Sequence, residues 1–191
     1  MKQVIIIIVL FFSSISNTIA DEIKRIVVGD KNAKISIIAF ESLTCSHCGN
    51  FHKEVYPQIK KEYIDTGFAK IEFRHFPLDI AAFNASKIAQ CKNDGSSKIL
   101  NSLFTNQQKW VKGSSEEEAN DYLKDFLNNE GFDVDFDFCV NDKKIEDFVL
   151  NDRIDGVKNF KVNSTPTIII NNKKFEKSLN YKNLKKALEK L

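Results

Sequence analysis

Two cysteines separated by two residues, Cys45 and Cys48, are the side chains of this sequence best placed for chemistry. They follow an Ile-rich stretch over 33–40, which predicts a buried strand. Thr44 is predicted to be the N-cap of a following helix, which would place Cys45 in the first helical turn. The unpaired N–H groups and the dipole of a helix N-terminus favour a thiolate over a thiol. The pair therefore predicts thiol-disulfide exchange, with Cys45 attacking and Cys48 resolving the mixed disulfide.

The residues that follow predict a helix with one apolar face. Apolar or weakly polar side chains repeat at helical spacing, namely Cys48, Phe51, His52, Val55 and Ile59. We expect His52 to be a packing residue of this face. Pro57 lies inside the pattern, so the helix either ends at Tyr56 or kinks and continues toward Ile64.

The rest of the pattern divides the chain into strand-bearing ends and a helical middle. Strands are predicted over 26–28, 69–76, 167–170 and 173–176, the last two joined by a tight turn at Asn171-Asn172. Helices are predicted over 80–92, 96–109, 114–129, 142–159 and 181–191. We therefore expect a leader over 1–20, a first strand-bearing part over 21–77, a helical insertion over 78–157 and a closing part over 158–191.

The N-terminal 20 residues have the pattern of a secretory signal peptide. A basic start at Met1-Lys2 precedes the apolar run 4–12, and Thr18-Ile19-Ala20 suits cleavage before Asp21. The alternative is an uncleaved membrane anchor, although polar residues shorten the run below the roughly 20 apolar residues that span a bilayer. In both cases the rest of the chain is exported, and we expect it in the periplasm, where disulfides persist.

Composition limits the classes of function. The chain has 191 residues, with 28 Lys and Arg against 26 Asp and Glu, a net charge of +2. These charges are scattered, which argues against a nucleic-acid-binding surface. After removal of the leader, enough residues remain for one domain with a substantial core.

Three motifs together resemble the DsbA family of thiol-disulfide oxidoreductases over 33–191. They are Cys45-Ser46-His47-Cys48, Phe73-Arg74-His75-Phe76-Pro77-Leu78 and Ser164-Thr165-Pro166-Thr167. The resemblance implies an α/β protein, a thioredoxin fold with an inserted α-helical domain, and a monomeric enzyme without a cofactor. It also implies reduced exported proteins as substrates and a DsbB-type membrane protein as reoxidant. The alternative is a disulfide isomerase or reductase; such isomerases are generally dimers with an added N-terminal domain, for which 21–33 is too short.

The resemblance also implies roles for individual residues. Cys45 would be the attacking thiolate and Cys48 its buried partner. His47 would tune the redox poise by stabilising the Cys45 thiolate, the alternative being an exposed helix histidine without a role. Pro166 would be a cis-proline that leaves the Thr165 backbone free to pair with an extended substrate. The best-known DsbA enzymes carry Val at the Thr165 position, where a hydroxyl could reach Cys45, and this keeps the isomerase alternative open.

This sequence differs from the DsbA family in the position of one acidic residue. The family often places a buried acid six residues before the first cysteine, and this sequence has Ala39 there. Glu41 follows two residues later, on the same strand face if the strand continues. Glu41 either replaces the missing acid or is a solvated glutamate at the strand end.

The remaining two cysteines, Cys91 and Cys139, lie in the helical insertion. In an exported protein they form one natural pair, and a second disulfide of this kind resembles that of a subset of DsbA proteins. The alternative is two buried free cysteines.

Metal binding is the main rival function. A zinc site could use Cys45, Cys48 and His52, but a structural site needs four ligands. A copper chaperone would use the cysteine pair with a later histidine, for which His75 is the candidate. We expect no metal.

Overall fold

The computed structural model describes residues 22–191, so the predicted leader and its cleavage site lie outside the described residues. Within this range a mixed sheet of five strands has the order β1-β3-β2-β4-β5. The strands are β1 (Ile26–Val28), β2 (Ile35–Glu41), β3 (Ala69–His75), β4 (Thr167–Ile170) and β5 (Lys173–Lys174). β2 and β3 are parallel, and the other neighbours are antiparallel.

Strand β2 is buried on both faces, as its run of apolar residues predicts. Ile37 and Ala39 belong to the main core, whereas Ile38 and Phe40 belong to a smaller core on the opposite face. Successive side chains of a strand point to opposite faces, so β2 needs helices on both sides of the sheet.

One continuous helix over 46–64 covers the main core. It consists of α1 (Ser46–Asn50), a π turn (Phe51–Val55), α2 (Tyr56–Ile59) and a second π turn (Lys60–Ile64). The predicted apolar face is confirmed, because all five of its residues are buried. Proline lacks an N–H, and its ring crowds the carbonyl four residues earlier in an α-helix. The π turn widens the helix in front of Pro57, so the helix continues toward Ile64.

The predicted N-cap at Thr44 is wrong. Cys45 is the N-cap residue, with extended backbone, and the helix begins at Ser46. The Thr44 hydroxyl instead donates to Asp79 Oδ2 at 2.6 Å. Cys45 therefore lies one residue before the first helical turn, still at the N-terminal end of the helix.

The middle of the chain is helical, as predicted. It contains α3 (Ile80–Cys91), α4 (Lys98–Thr105), α5 (Gln107–Trp110), α6 (Glu116–Asn129), α7 (Phe136–Asn141) and α8 (Lys143–Phe160). The single helix predicted over 96–109 is wrong, because it is divided at Asn106. The Asn106 amide donates to the Ser102 carbonyl at 3.0 Å, so the side chain competes with the helical backbone. α7 was not predicted, since six residues are too few to show a helical period.

The C-terminal part completes both layers. α8 continues three residues beyond the predicted end of the insertion at 157, and it packs on the second face of the sheet close to the Phe40 and Phe76 rings. Asn171 and Asn172 both have positive φ, as a tight hairpin turn requires, but β5 has two residues rather than the predicted four. α9 (Tyr181–Leu188) buries Leu184 and Leu188 in the main core. No helix within 22–191 is long and apolar enough to cross a membrane.

Candidate active site

The half-buried Cys45 thiol lies where β2 gives way to the long helix. Both Cys45 and Cys48 are free thiols. The Cys45 Sγ donates to the Thr165 carbonyl at 3.4 Å, and the Thr165-Pro166 peptide bond is cis. The loop before β4 therefore lies directly against the cysteine, as the resemblance implies.

Local hydrogen bonds favour the thiolate form of Cys45. A hydrogen bond with the Cys48 side chain is the largest cause that lowers the pKa of Cys45, to about 5. Burial opposes this change, while Thr165 and the backbone N–H groups of Cys48 and His47 lower the pKa further. An ordinary cysteine has a pKa near 8.5 and is mostly a thiol at neutral pH. Because the pKa of Cys45 is about 5, Cys45 is mostly a nucleophilic thiolate there.

Cys48 has the opposite protonation preference. Its side chain is fully buried, and this burial is the largest cause that raises the pKa of Cys48 far above its ordinary value. The hydrogen bond with Cys45 and the charge of Glu41 raise the pKa further. A thiolate formed at Cys48 therefore needs a proton from a nearby group.

Glu41 is buried at the end of β2, with only 3% of its surface exposed, so the alternative of a solvated glutamate is wrong. Its Oε2 lies 2.9 Å from His52 Nε2, and His52 Nδ1 lies 3.1 Å from Asn101 Oδ1. The Phe104 ring stacks on His52 with centroids 4.1 Å apart. Burial raises the pKa of Glu41 in spite of the neighbouring His52.

His52 is the site residue that sequence reasoning missed. It is buried, as predicted, but it also connects Glu41 with the insertion helix α4. The available signal was its position four residues after Cys48 on the same helix face. The spacing does not show that an acid from β2 meets the imidazole.

His47 and Thr165 flank the Cys45 sulfur in different ways. The His47 side chain is exposed and makes no hydrogen bond to Cys45 among the described contacts; its backbone N–H contributes to the low pKa of that thiol. The Thr165 carbonyl accepts from the Cys45 thiol, and the Thr165 side chain lowers the pKa of Cys45, although Thr165 Oγ1 forms no hydrogen bond of proper geometry with any residue of 22–191. A groove beside the sulfur is lined by His47, Phe51, Glu54, Thr165, Pro166 and Leu179.

A glutamine of the insertion holds the backbone around Cys45. Gln107 Nε2 donates to the Leu43 carbonyl at 2.7 Å and to the Cys45 carbonyl at 2.9 Å. Gly49 permits this contact, because a Cβ at that position would lie 2.8 Å from Gln107 Cδ and 3.3 Å from the Phe104 carbonyl. The insertion therefore helps to position the nucleophile.

Comparison with known proteins gives the family. The family model described as Thioredoxin matches residues 21–190. The chain belongs to the thioredoxin family. Three features of this thioredoxin-family chain position the site. They are the sheet with helices on both faces, the cysteine pair at a helix N-terminus and the cis-proline loop that faces it.

Individual relatives extend the comparison within the thioredoxin family. The crystal structure of alpha-DsbA1 from Wolbachia pipientis matches with a TM-score of 0.76 and 30% identity, covering 87% of this chain and 90% of that one. A Rickettsia prowazekii protein, provisionally named a protein-disulfide oxidoreductase, is 28% identical over 86% of this chain and 60% of its own length. Disulfide bond formation protein D of Bacillus subtilis is 24% identical, over 86% of this chain and 75% of its own.

These matches support the DsbA resemblance and the thioredoxin fold with an inserted helical domain. The chain spans between 52% and 60% of the length of the first three curated relatives that it matches. The activity, substrates and partners of those longer proteins therefore enter below as proposals.

The other two cysteines of this thioredoxin-family chain form a disulfide in the insertion. Cys91 ends α3 and Cys139 lies in α7, with their Cα atoms 5.6 Å apart. The alternative of two free cysteines is therefore not what the structure shows. The bond ties together two helices of the insertion that are separated by 48 positions in the sequence.

His75, the candidate copper ligand, serves a different purpose. Its Nε2 lies 3.3 Å from Gln90 Oε1, and its backbone N–H donates to Asp152 Oδ2 at 3.1 Å. Among residues 22–191, no three His, Cys, Asp or Glu side chains are grouped so that they could hold a metal ion.

Proposed function

We propose that this protein is an exported thiol-disulfide oxidoreductase that introduces disulfide bonds into secreted or periplasmic proteins. The observation that carries the proposal is the asymmetric cysteine pair, in which a half-buried Cys45 favours the thiolate and a buried Cys48 favours the thiol. A stabilised thiolate at Cys45 favours the reduced protein, which makes its disulfide a strong oxidant.

The reaction proceeds through two exchanges. In the oxidised protein, a substrate thiolate attacks the Cys45 sulfur, forms a mixed disulfide and releases Cys48, which takes up a proton. The second substrate thiolate then attacks the substrate sulfur of the mixed disulfide and releases Cys45 as a thiolate. The substrate loses two electrons and two protons as its disulfide forms, and the cysteine pair gains the two electrons.

The substrate is an extended segment of a reduced, unfolded protein. It pairs with the backbone at Thr165, beside the cis-proline, in the manner of an added strand. The groove lined by Phe51, Glu54 and Leu179 accepts side chains next to the substrate cysteine.

Reoxidation and location complete the proposal. A DsbB-type membrane protein reoxidises the cysteine pair, and the protein works as a monomer in the periplasm after export through its leader. The runner-up is a disulfide isomerase or reductase, to which Thr165 before the cis-proline still points.

Transfer of the disulfide to a reduced, unfolded test protein checks the activity. We expect the oxidised protein to form one substrate disulfide per molecule without added oxidant. Cys45→Ser should form none. When each variant in its reduced form is instead given the oxidised test protein, Cys48→Ser should accumulate mixed disulfides through Cys45, because it lacks the resolving thiol. Equal trapping by both variants would contradict these roles.

A second assay separates oxidase from isomerase. A test protein with scrambled disulfides is incubated with the reduced protein, and recovery of native pairing is measured. An oxidase transfers its disulfide to the reduced substrate faster than it repairs the scrambled one. Faster repair of the scrambled protein would favour the isomerase.

A further inference from the structure

A buried chain of three polar side chains connects the active site with the helical insertion. Glu41 ends β2, His52 lies on the long helix, and Asn101 lies on α4. Glu41 and His52 are 3% and 2% exposed. The second carboxylate oxygen of Glu41, Oε1, is buried and has no hydrogen-bond partner among residues 22–191.

The orientation of Asn101 identifies the protonated nitrogen of His52. The Asn101 amide Nδ2 donates to Ser97 Oγ at 3.2 Å, so Oδ1 is the atom that faces the imidazole. An oxygen acceptor 3.1 Å from His52 Nδ1 requires a proton on that nitrogen.

The contact on the other side of the ring then requires a second proton. With one proton on Nδ1, the Nε2 of a neutral imidazole is an acceptor, and it lies 2.9 Å from an oxygen of Glu41. Two lone pairs cannot form this bond, so the proton lies on Glu41 or on Nε2. In both arrangements the buried pair carries no net charge, which avoids the cost of an isolated buried carboxylate.

We propose that His52 is a positioning residue for disulfide exchange: with Glu41 it forms a buried pair that holds one exchangeable proton and transfers it to and from the Cys48 sulfur. The inference rests on the proposed function and deepens it, because it names the group that serves the buried thiol. Asn101 anchors the imidazole, so the insertion takes part in the proton transfer.

The proton transfer balances in both directions. When a substrate attacks Cys45, the Cys48 thiolate takes the proton of the pair, leaving a Glu41 carboxylate that accepts from the Nε2–H tautomer of neutral His52. Nδ1 of this tautomer is an acceptor, so the Asn101 amide turns and donates to it from Nδ2. The pair recovers its proton from solvent. During reoxidation the pair first releases its proton to solvent and then accepts the proton of the Cys48 thiol, whose thiolate attacks the mixed disulfide.

Few other titratable groups face the pair. Cys45 and Cys48 act on Glu41 from the helix N-terminus, and Tyr56 lies beside His52 with ring centroids 5.4 Å apart. α4 contributes the uncharged Asn101 and Phe104. His75 is the register partner of Glu41 on β3, and its ring bonds to Gln90.

The rate at which Cys48 resolves a mixed disulfide tests the proposal. Fully reduced protein is mixed with oxidised glutathione, quenched with acid, and analysed by mass spectrometry for the Cys45–glutathione species. In the wild type we expect the resolving rate to rise with pH and level off once the pair has lost its proton. In His52→Gln, which cannot carry the proton, we expect a midpoint about one pH unit higher and resolution about tenfold slower below it, because Glu41 loses the group that lowers its pKa.

Two further variants define the comparison. Glu41→Gln should abolish the levelling-off, while His75→Gln, which removes another buried histidine, should leave the midpoint unchanged. The same midpoint in His52→Gln as in the wild type, with normal formation of the mixed disulfide, would overturn the inference and leave the proposed function standing. Failure of Cys45 to form the mixed disulfide in the wild type would instead overturn the proposed function.

Nitrogen NMR of the wild type keeps the inference testable if His52→Gln fails to fold. We expect the His52 ring nitrogens to change chemical shift with the same pH midpoint as the resolving rate, since the tautomer changes when the pair loses its proton. Shifts that stay constant over the range in which the rate changes would overturn the inference.

Discussion

Replacement of Cys45 by serine measures how much the thiolate stabilises the reduced fold. Its pKa lies at about 5 in the folded protein, against about 8.5 for an unfolded cysteine. A group with a lowered folded pKa contributes stability above its unfolded pKa and loses it as the pH falls through the folded value. Between pH 4.5 and 7.5 the unscreened gain is about 3 kcal/mol at 1.36 kcal/mol per pH unit. The sulfur is half-buried, so solvent screening reduces our expected gain to about 1–2 kcal/mol.

The pH range is limited at its upper end by Cys48. Burial raises the pKa of the Cys48 thiol in the folded protein. Above about pH 8.5 Cys48 ionises in the unfolded chain but not in the folded one, and this lowers the free energy of unfolding. That effect opposes the contribution of Cys45. Measurements below pH 8 therefore isolate the thiolate of interest.

Urea unfolding of the reduced wild type and of reduced Cys45→Ser provides the assay. We expect the wild type to gain about 1–2 kcal/mol over the variant from pH 4.5 to 7.5, with the gain beginning near pH 5 and rising steadily toward the unfolded pKa of about 8.5. The charge of Cys45 also raises the pKa of Glu41. Repeating the comparison of Cys45 with serine in a Glu41→Gln background therefore excludes a contribution from the titration of Glu41. A stability difference that does not change with pH in either background would refute the assignment of a low pKa to Cys45.

Three other substitutions test the packing around the site. Gly49→Ala should destabilise the protein by about 1–3 kcal/mol in urea unfolding, because its Cβ would push the Gln107 amide away from the Leu43 and Cys45 carbonyls that it binds. In Gly49→Ala/Gln107→Ala the loss should be less than the sum of the single losses, and simple additivity would contradict the contact. Cys91→Ser/Cys139→Ser should lower stability by up to about 4 kcal/mol in the chain-entropy description while retaining exchange at Cys45; loss of disulfide transfer by the folded variant would show that this disulfide is catalytic. In the oxidised protein, which has no Cys45 thiolate, Thr165→Val should leave stability in urea unfolding unchanged or raise it by up to about 1 kcal/mol, since it removes a buried hydroxyl without a well-formed hydrogen bond; a large loss of stability in that form would show that the hydroxyl has a partner.

The strands and the cysteine pair were predictable because their signals are local. The Ile-rich run of β2, the turn at Asn171-Asn172 and the apolar face behind Cys48 each depend on neighbouring residues. Local competition also explains an error, since the Asn106 side chain divides a stretch whose apolar period suggests one helix.

The relation between Glu41 and His52 was not predictable, because three elements distant in the sequence bring the residues together. The sequence left open whether Glu41 was buried, and it gave His52 only a packing role. Burial of both groups depends on the insertion, whose Asn101 and Phe104 enclose the imidazole. Spacing along one strand or helix carries no information on such a contact.

The equilibrium of the cysteine pair with glutathione tests the central claim most directly. Protein is equilibrated with defined ratios of reduced and oxidised glutathione, alkylated, and analysed for the state of Cys45 and Cys48 by mass spectrometry. A stabilised Cys45 thiolate predicts an oxidising potential, less negative than about −200 mV and toward the value of about −120 mV typical of DsbA. A potential near about −270 mV, as in the reducing protein thioredoxin, would contradict the proposed function as an oxidant.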